Sequence, residues 1–263
     1  MNKKAVYIFV WTMIIAFFTV LWTEKCVTKT RQKGIDLSFI STSHFREQKL
    51  DEDFFSEIIK KKLPGEDVAI HLLNATYGTR NWKKQSGWIE YKEAVNAIWN
   101  DVKYFPIPEF TNTKNIGVTY ENSWMNERTY GGERGHEGTD IIASKNVRGL
   151  YPIISMTDGI VDKMGWLEKG GYRIGIKTEK GAYFYYAHLD SYSNVKVGDE
   201  IKAGDVLGYM GDSGYGSEGT VGKFVVHLHL GIYIYPDGVE TSINPYWVLR
   251  YIEKNKVKCY TEK

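Results

Sequence analysis

The sequence predicts a mainly β domain built on an antiparallel sheet, preceded by a transmembrane helix and a small helical region. Three observations carry this reading. Eighteen consecutive uncharged residues run from Ala5 to Trp22, apolar residues recur at helical spacing between positions 51 and 102, and beyond about Thr111 short β-rich runs alternate with glycines. The chain has 263 residues, 43% of them hydrophobic and 25% charged, which is enough for a full core and typical of an ordinary folded protein. With 34 basic and 32 acidic residues the net charge is +2, so there is no excess of cation to neutralise phosphates, and a nucleic-acid partner is excluded. Cys26 and Cys259 are the only cysteines. They make neither a disulfide framework nor a thiolate cluster, so any metal must be held by imidazole and carboxylate.

As a helix, residues 5–22 would be about 27 Å long at 1.5 Å per residue, close to the thickness of a hydrocarbon core. Lys3 and Lys4 precede the run and no small-residue cleavage pattern follows it, which favours a retained membrane anchor over residues 1–30. Cys26 follows Thr23, Glu24 and Lys25, not the small residues of a lipid-acylation site.

Residues 31–110 read as a helical region without assignable chemistry. In DEDFFSEIIKKK, Phe54, Phe55, Ile58 and Ile59 form a stripe that acids open, lysines close and Pro64-Gly65 stops. Tyr91, Ala94, Val95, Ile98 and Val102 repeat at i, i+3, i+4, i+7 and i+11, giving a second helix that ends before Pro106 and Pro108, where PIPE marks a linker. His71 lies in a further helical stretch and His44 in a turn, and both read as packed or surface residues.

Residues 111–250 form the β domain, with 251–263 as a C-terminal tail. VRGLYPIISM, DGIVDKMG, YRIGIKTE, GAYFYYAHL, DVLGYMG and KFVVHLHLGIYI are the strands. VKVGDEIKAGDVLGYMG repeats a Val/Ile-x-x-Gly-Asp phrase and suggests two strands meeting through glycine turns. Biotinyl and lipoyl carriers have such a hairpin, but the tip here lacks their reactive lysine. The glycine-rich loop GDSGYGSEGTVGKFVV is no phosphate cradle either, because Lys223 is followed by Phe224.

Four of the six histidines fall in this half, as RGHEGTD, YYAHLD and HLHLG. Strand alternation points His227 and His229 to one face, and by the same rule His188 shares a face with Ala182, Phe184 and Tyr186. His136 and Asp140 are four apart, and Gly138 between them permits a bend that brings imidazole and carboxylate to one ion. Imidazoles plus one carboxylate suit a zinc ion that keeps one position open for water. Five candidates exceed the three ligands such a site needs. Spacing leaves open which of them bind metal and which move protons or steady an oxyanion.

The strings RGHEGTD, TDGIVDKMGW, YFYYAHLD, VKVGDEIKAGDVLGYMGDSG and HLHLGI resemble, in order and spacing, the lysostaphin and LytM family of zinc peptidases, over roughly residues 112 to 247. The resemblance implies a mainly β catalytic domain of lysostaphin-like, hybrid-motif architecture that cuts peptide bonds in the stem or cross-bridge of bacterial peptidoglycan. By motif, His136, Asp140 and His229 are the implied ligands of one zinc per chain, and His188 and His227 take the catalytic places. Tyr130, six residues before His136, is the implied hydroxyl that helps stabilise the tetrahedral intermediate. The loop before the HxH pair is longer than the family's usual small-residue-proline loop, so the groove wall differs. A wall substrate implies a single-pass protein of the bacterial cell membrane with an extracytoplasmic catalytic domain, although Lys25, Lys29, Arg31 and Lys33 beyond the apolar run oppose a simple positive-inside count. The alternative is a membrane-tethered module that binds cell wall or a partner, with a structural or inactive zinc site.

Overall fold

The computed structural model describes residues 65–112, 115–235 and 238–260, together with Asp53, Ser56 and Ile58. The expected membrane anchor, Cys26 and His44 lie outside the described residues, and no helix among those described is long and apolar enough to cross a membrane.

Helix α1 (Gly65–Tyr77) opens on Glu66 and Asp67, whose charge suits a helix N-terminus, and buries Val68, Ala69, Leu72 and Leu73 along one stripe. It packs against α2 (Trp88–Trp99). Between them a 3-10 turn, Trp82–Lys84, sinks Trp82 into the core, with its Nε1–H donating to Asn74 Oδ1 at 2.7 Å. Tyr91, Val95 and Ile98 of α2 are buried as their spacing requires. Val102 is buried too but lies past the helix end, because the chain turns there and Lys103 N–H donates to Met156 of the β half.

The expected linker is part of the core. Phe105, Pro106, Ile107 and Pro108 are buried, and Phe105 N–H and the Pro106 carbonyl bond to Asn255 and Ile154 respectively. The chain then enters β1 (Glu109–Phe110), which pairs in parallel with β14 (Lys258–Cys259). Residues 251–260, read from sequence as a tail, therefore carry the last turn of α3 (Pro245–Ile252) and a paired strand.

The main sheet has ten strands among the described residues. Its path runs β10 (Glu200–Ile201), β7 (Gly159–Leu167), β8 (Gly171–Lys177), β9 (Tyr183–Tyr192), β12 (His227–Ile234), β5 (Thr139–Ala143) and β2 (Val118–Tyr120), every pairing antiparallel. Strands β6 (Pro152–Ile154) and β11 (Val206–Met210) extend it beside β9, and β13 (Thr241–Ile243) flanks β12. A small hairpin, β3 (Glu127–Arg128) with β4 (Arg134–Gly135), stands apart. All six β-rich runs are strands. The repeated phrase is a repeated turn and not a hairpin: Asp199 and Asp205 each accept from the amide three residues earlier, Lys196 N and Lys202 N, at 2.8 Å. The strands on either side then go to different partners, β10 to β7 and β11 to β6 and β9.

One apolar cluster joins Leu72, Leu73, Trp82 and Ile98 of the helical region to Phe184, Tyr186, Leu228 and Leu230 of the sheet. Lys103 with Asp158 and Lys180 with Asp101 add ion pairs across the junction. Burial of apolar surface, at about 25 cal/mol per Å², far outweighs two exposed pairs worth about 0–1 kcal/mol each.

Candidate metal centre

Strands β12 and β5 bring the first ligands together by register alone. Asp140 stands directly opposite His229, and Ile142 opposite His227. His136 comes from the short connection between β4 and β5, and its Nε2 lies 3.1 Å from Asp140 Oδ1. His229 Nδ1 is 3.0 Å from that same oxygen and 3.0 Å from His136 Nε2. Two imidazole nitrogens and a carboxylate oxygen thus form a nearly equilateral triangle. A tetrahedral zinc with bonds of about 2.0–2.1 Å sets its ligands roughly 3.3 Å apart, so the donor set fits that ion in type and spacing.

The ligand orientations are braced from behind. His136 is buried, and its Nδ1 faces the Ser123 carbonyl at 3.2 Å and Ser123 Oγ at 3.0 Å; a proton on Nδ1 leaves the Nε2 lone pair turned inward. Arg128 Nη2 donates to Asp140 Oδ2 at 2.6 Å and leaves Oδ1 for the centre. Burial disfavours ionised Asp140, but the close approach of the His136 and His229 rings outweighs it and holds the carboxyl well below the usual range. Gly138 has a reason other than the bend expected of it. A Cβ there would run into the His229 ring and lie 2.8 Å from the Leu230 carbonyl, so the site closes only around a residue without a side chain.

His188 and His227 stand beside this triangle, with ring centroids 4.7 Å apart. His227 Nε2 is 3.8 Å from Asp140 Oδ1, and its Nδ1 faces the Val225 carbonyl at 2.8 Å. His188 Nδ1 faces the Ser213 carbonyl at 2.7 Å. Each ring therefore keeps its Nδ1 proton and presents an unprotonated Nε2. Burial pushes both pKa values down, and for His188 the neighbouring His227 and His229 push further.

The face predicted for His188 is corrected by the structure. Phe184 and Tyr186 are fully buried in the core, whereas His188 lines the cleft with Tyr183 and Tyr185. A β-bulge makes the switch. Tyr172 pairs with Leu189 and Ile174 with Tyr186, two residues on β8 spanning three on β9. His188 sits in the bulge with φ of 62°, its N–H bonded to Gly170 and its carbonyl to Gly211.

The long loop before β12 builds the wall behind these rings. Phe224 lies 4.6 Å from His188 and 5.0 Å from His227, with Tyr215 5.0 Å from Phe224. Arg148 ties the loop down, reaching Asp190 Oδ1 at 2.7 Å and Asp212 Oδ1 at 3.2 Å. Tyr130 is stacked on the outer side of Tyr215, centroids 4.1 Å apart and planes 3° from parallel; Tyr215 lines the cleft and Tyr130 is not among the lining residues. His71 lies on α1, outside the lining. Arg128, Arg148, Tyr215 and Phe224 carried no sequence signal, since each acts through a contact distant along the chain.

The cleft encloses about 760 Å³. Residues 134–245, which hold the triangle, both neighbouring histidines and the loop, match the profile of Peptidase family M23. The chain is 40% identical over 151 residues to an L-Ala–D-Glu endopeptidase of Bacillus subtilis, covering 57% of this chain and 44% of that one. It is 34% identical over 126 residues to lysostaphin of Staphylococcus simulans, 43% of this chain and 23% of that protein. It thus spans less than half the length of these curated relatives. A crystal structure from Ruminococcus gnavus, described as a candidate glycyl-glycine endopeptidase LytM, is 50% identical with a TM-score of 0.77, covering 85% of this chain and 95% of that one.

Proposed function

The chain belongs to peptidase family M23, whose members are metallopeptidases, and from that premise we propose that it is a zinc endopeptidase hydrolysing peptide bonds of bacterial peptidoglycan. The observation that carries the proposal is the division of labour in the site: three inward lone-pair donors about 3 Å apart, and two neutral imidazoles beside them. His136, Asp140 and His229 would hold one zinc, which when bound supplies Lewis-acid polarisation of a carbonyl and activation of water. One negative ligand leaves such a centre near +1. Its electrophilicity is retained.

The protein's own groups do the rest. His188 and His227 each offer Nε2 as proton acceptor, because Nδ1–H is committed to a backbone carbonyl. One of them takes the proton of the attacking water and returns it to the leaving amine; once protonated, the ring donates to the developing oxyanion. The Ser213 and Val225 carbonyls fix both rings, and Phe224 packs against them and excludes water. Tyr130 lies outside the cleft lining, so the hydroxyl role expected of it would require the ring to swing off Tyr215, and Tyr130→Phe tests that role through kcat. Residues 5–22 are proposed to anchor the protein in the bacterial cell membrane with the β domain outside; the eighteen uncharged residues support this, and protease accessibility in intact cells tests it.

The deciding experiment measures zinc content and release of new amino groups from purified peptidoglycan by the full chain. Stoichiometric zinc with amino-group release is expected. Binding to peptidoglycan without release would replace the hydrolase by the tethered binding module.

A further inference from the structure

Beyond the triangle, the cleft continues over β8 and the first half of β9, where its surface changes character. Tyr183 and Tyr185 lie against β8 because glycine waits beneath each hydroxyl: a Cβ on Gly175 would clash with Tyr183, and one on Gly170 with Tyr185. Tyr185 also meets the His229 ring edge to face, at 6.0 Å, so this floor adjoins the metal centre. Three cations line the same stretch, Arg134 beside His136, Arg173 on β8 and Lys163 on β7, whose ammonium lies 5.8 Å from the Tyr183 ring.

The two arginines differ from the others near the site. Arg128 is paired with Asp140, and Arg148 with Asp190 and Asp212. Arg134 and Arg173 have no acidic partner among the described residues. Arg134 Nε and Arg173 Nη1 are moreover shut off from solvent without a hydrogen-bond acceptor. A dry guanidinium N–H is costly to leave unbonded, and here it borders a cavity. Both guanidiniums line the same cleft as Tyr185. The acids of this lining are already engaged: Glu240 accepts from Tyr235 at 3.3 Å, Asp140 serves the triangle, and Glu137 has a partner of its own.

We propose that Arg173 and Arg134 form a carboxylate subsite, so that the preferred substrate is an acidic peptide whose free carboxylate borders the bond cut. Guanidinium is the group that matches a carboxylate in planar, two-point fashion, and a glycine bridge would leave both arginines unanswered. The inference rests on the peptidase reading, and its test separates the two. The full chain is given an L-alanyl-D-glutamyl peptide and its counterpart with that carboxyl amidated; kcat/KM is measured for each, and binding of each by calorimetry. The acidic peptide should be favoured roughly ten-fold or more. Arg173→Gln should bring the ratio toward one by raising KM for the acidic peptide, Arg134→Gln should lower it as well, and Arg173→Lys should fall between. Zinc content equal to that of the parent shows that the variants fold. Equal cleavage and equal binding of the two peptides, or a preference that survives both glutamine variants, would overturn the subsite while leaving the peptidase in place. Arginine-dependent preference in binding without any cleavage would keep the subsite and remove the peptidase.

Discussion

The two strands that frame the centre deliver their histidines in opposite ways. Strand β12 is regular: His227 and His229 alternate with Leu228 and Leu230, and its register against β5 sets Asp140 opposite His229. Strand β9 reaches the same cleft only by breaking its alternation at His188. Two of the three candidate ligands, Asp140 and His229, rest on an ordinary sheet, while the extra imidazole rests on an irregularity that the surrounding hydrogen bonds hold in place. On the proposed roles, holding an ion and aiming a proton acceptor should be separable by mutation.

The largest separation comes from His229→Ala against His188→Ala. The first should lose zinc and all measurable turnover. The second should retain zinc and lose turnover by about 10²–10⁴-fold, the usual worth of a positioned acid or base. If zinc content falls equally in both, the comparison fails. Next, Gly138→Ala should press its methyl on the His229 ring and weaken zinc affinity by roughly 10–100-fold, the scale for disturbed ligand support, as a competitive chelator titration would show.

The bulge predicts a difference in stability. A β-branched residue at a left-handed position costs about 1–3 kcal/mol, whereas asparagine tolerates it, so denaturant unfolding should find His188→Val less stable than His188→Asn by that order. Equal stabilities would argue that the bulge relaxes.

The smallest effect is in pH. Burial lowers the pKa values of His188 and His227, so the fold favours their neutral forms. Their stabilising contribution is present above the unfolded pKa of about 6.5 and is lost as pH falls through the lower folded values. Melting temperature should therefore drop on acidification below about 6.5, and less steeply in His188→Asn. The acid limb of turnover should also lie below about 6.5.

What was legible in the sequence follows the same division. Regular periodicity announced the helical stripe of α2, the six strands and the common face of His227 and His229. The HxxxD spacing announced His136 with Asp140. Alternation misplaced His188, because a single inserted residue reverses every face beyond it and leaves no mark in composition. The turns at Asp199 and Asp205 were visible as a repeat, but their strands' partners were not, since pairing is decided by segments far along the chain. Arg128, Arg134 and Arg173 look like any surface arginine until the strands that carry them are placed around a cavity.

The parallel clasp between Glu109–Phe110 and Lys258–Cys259 has a practical meaning for anyone excising the β half as a reagent. A cut at residue 111 discards one side of the clasp and the buried Phe105–Pro108 stretch beneath it, and a cut at 250 interrupts α3 and discards the other side. A fragment that keeps its shape should begin before Lys103, so that the anchoring amides at 103 and 105 are retained, and run through Cys259.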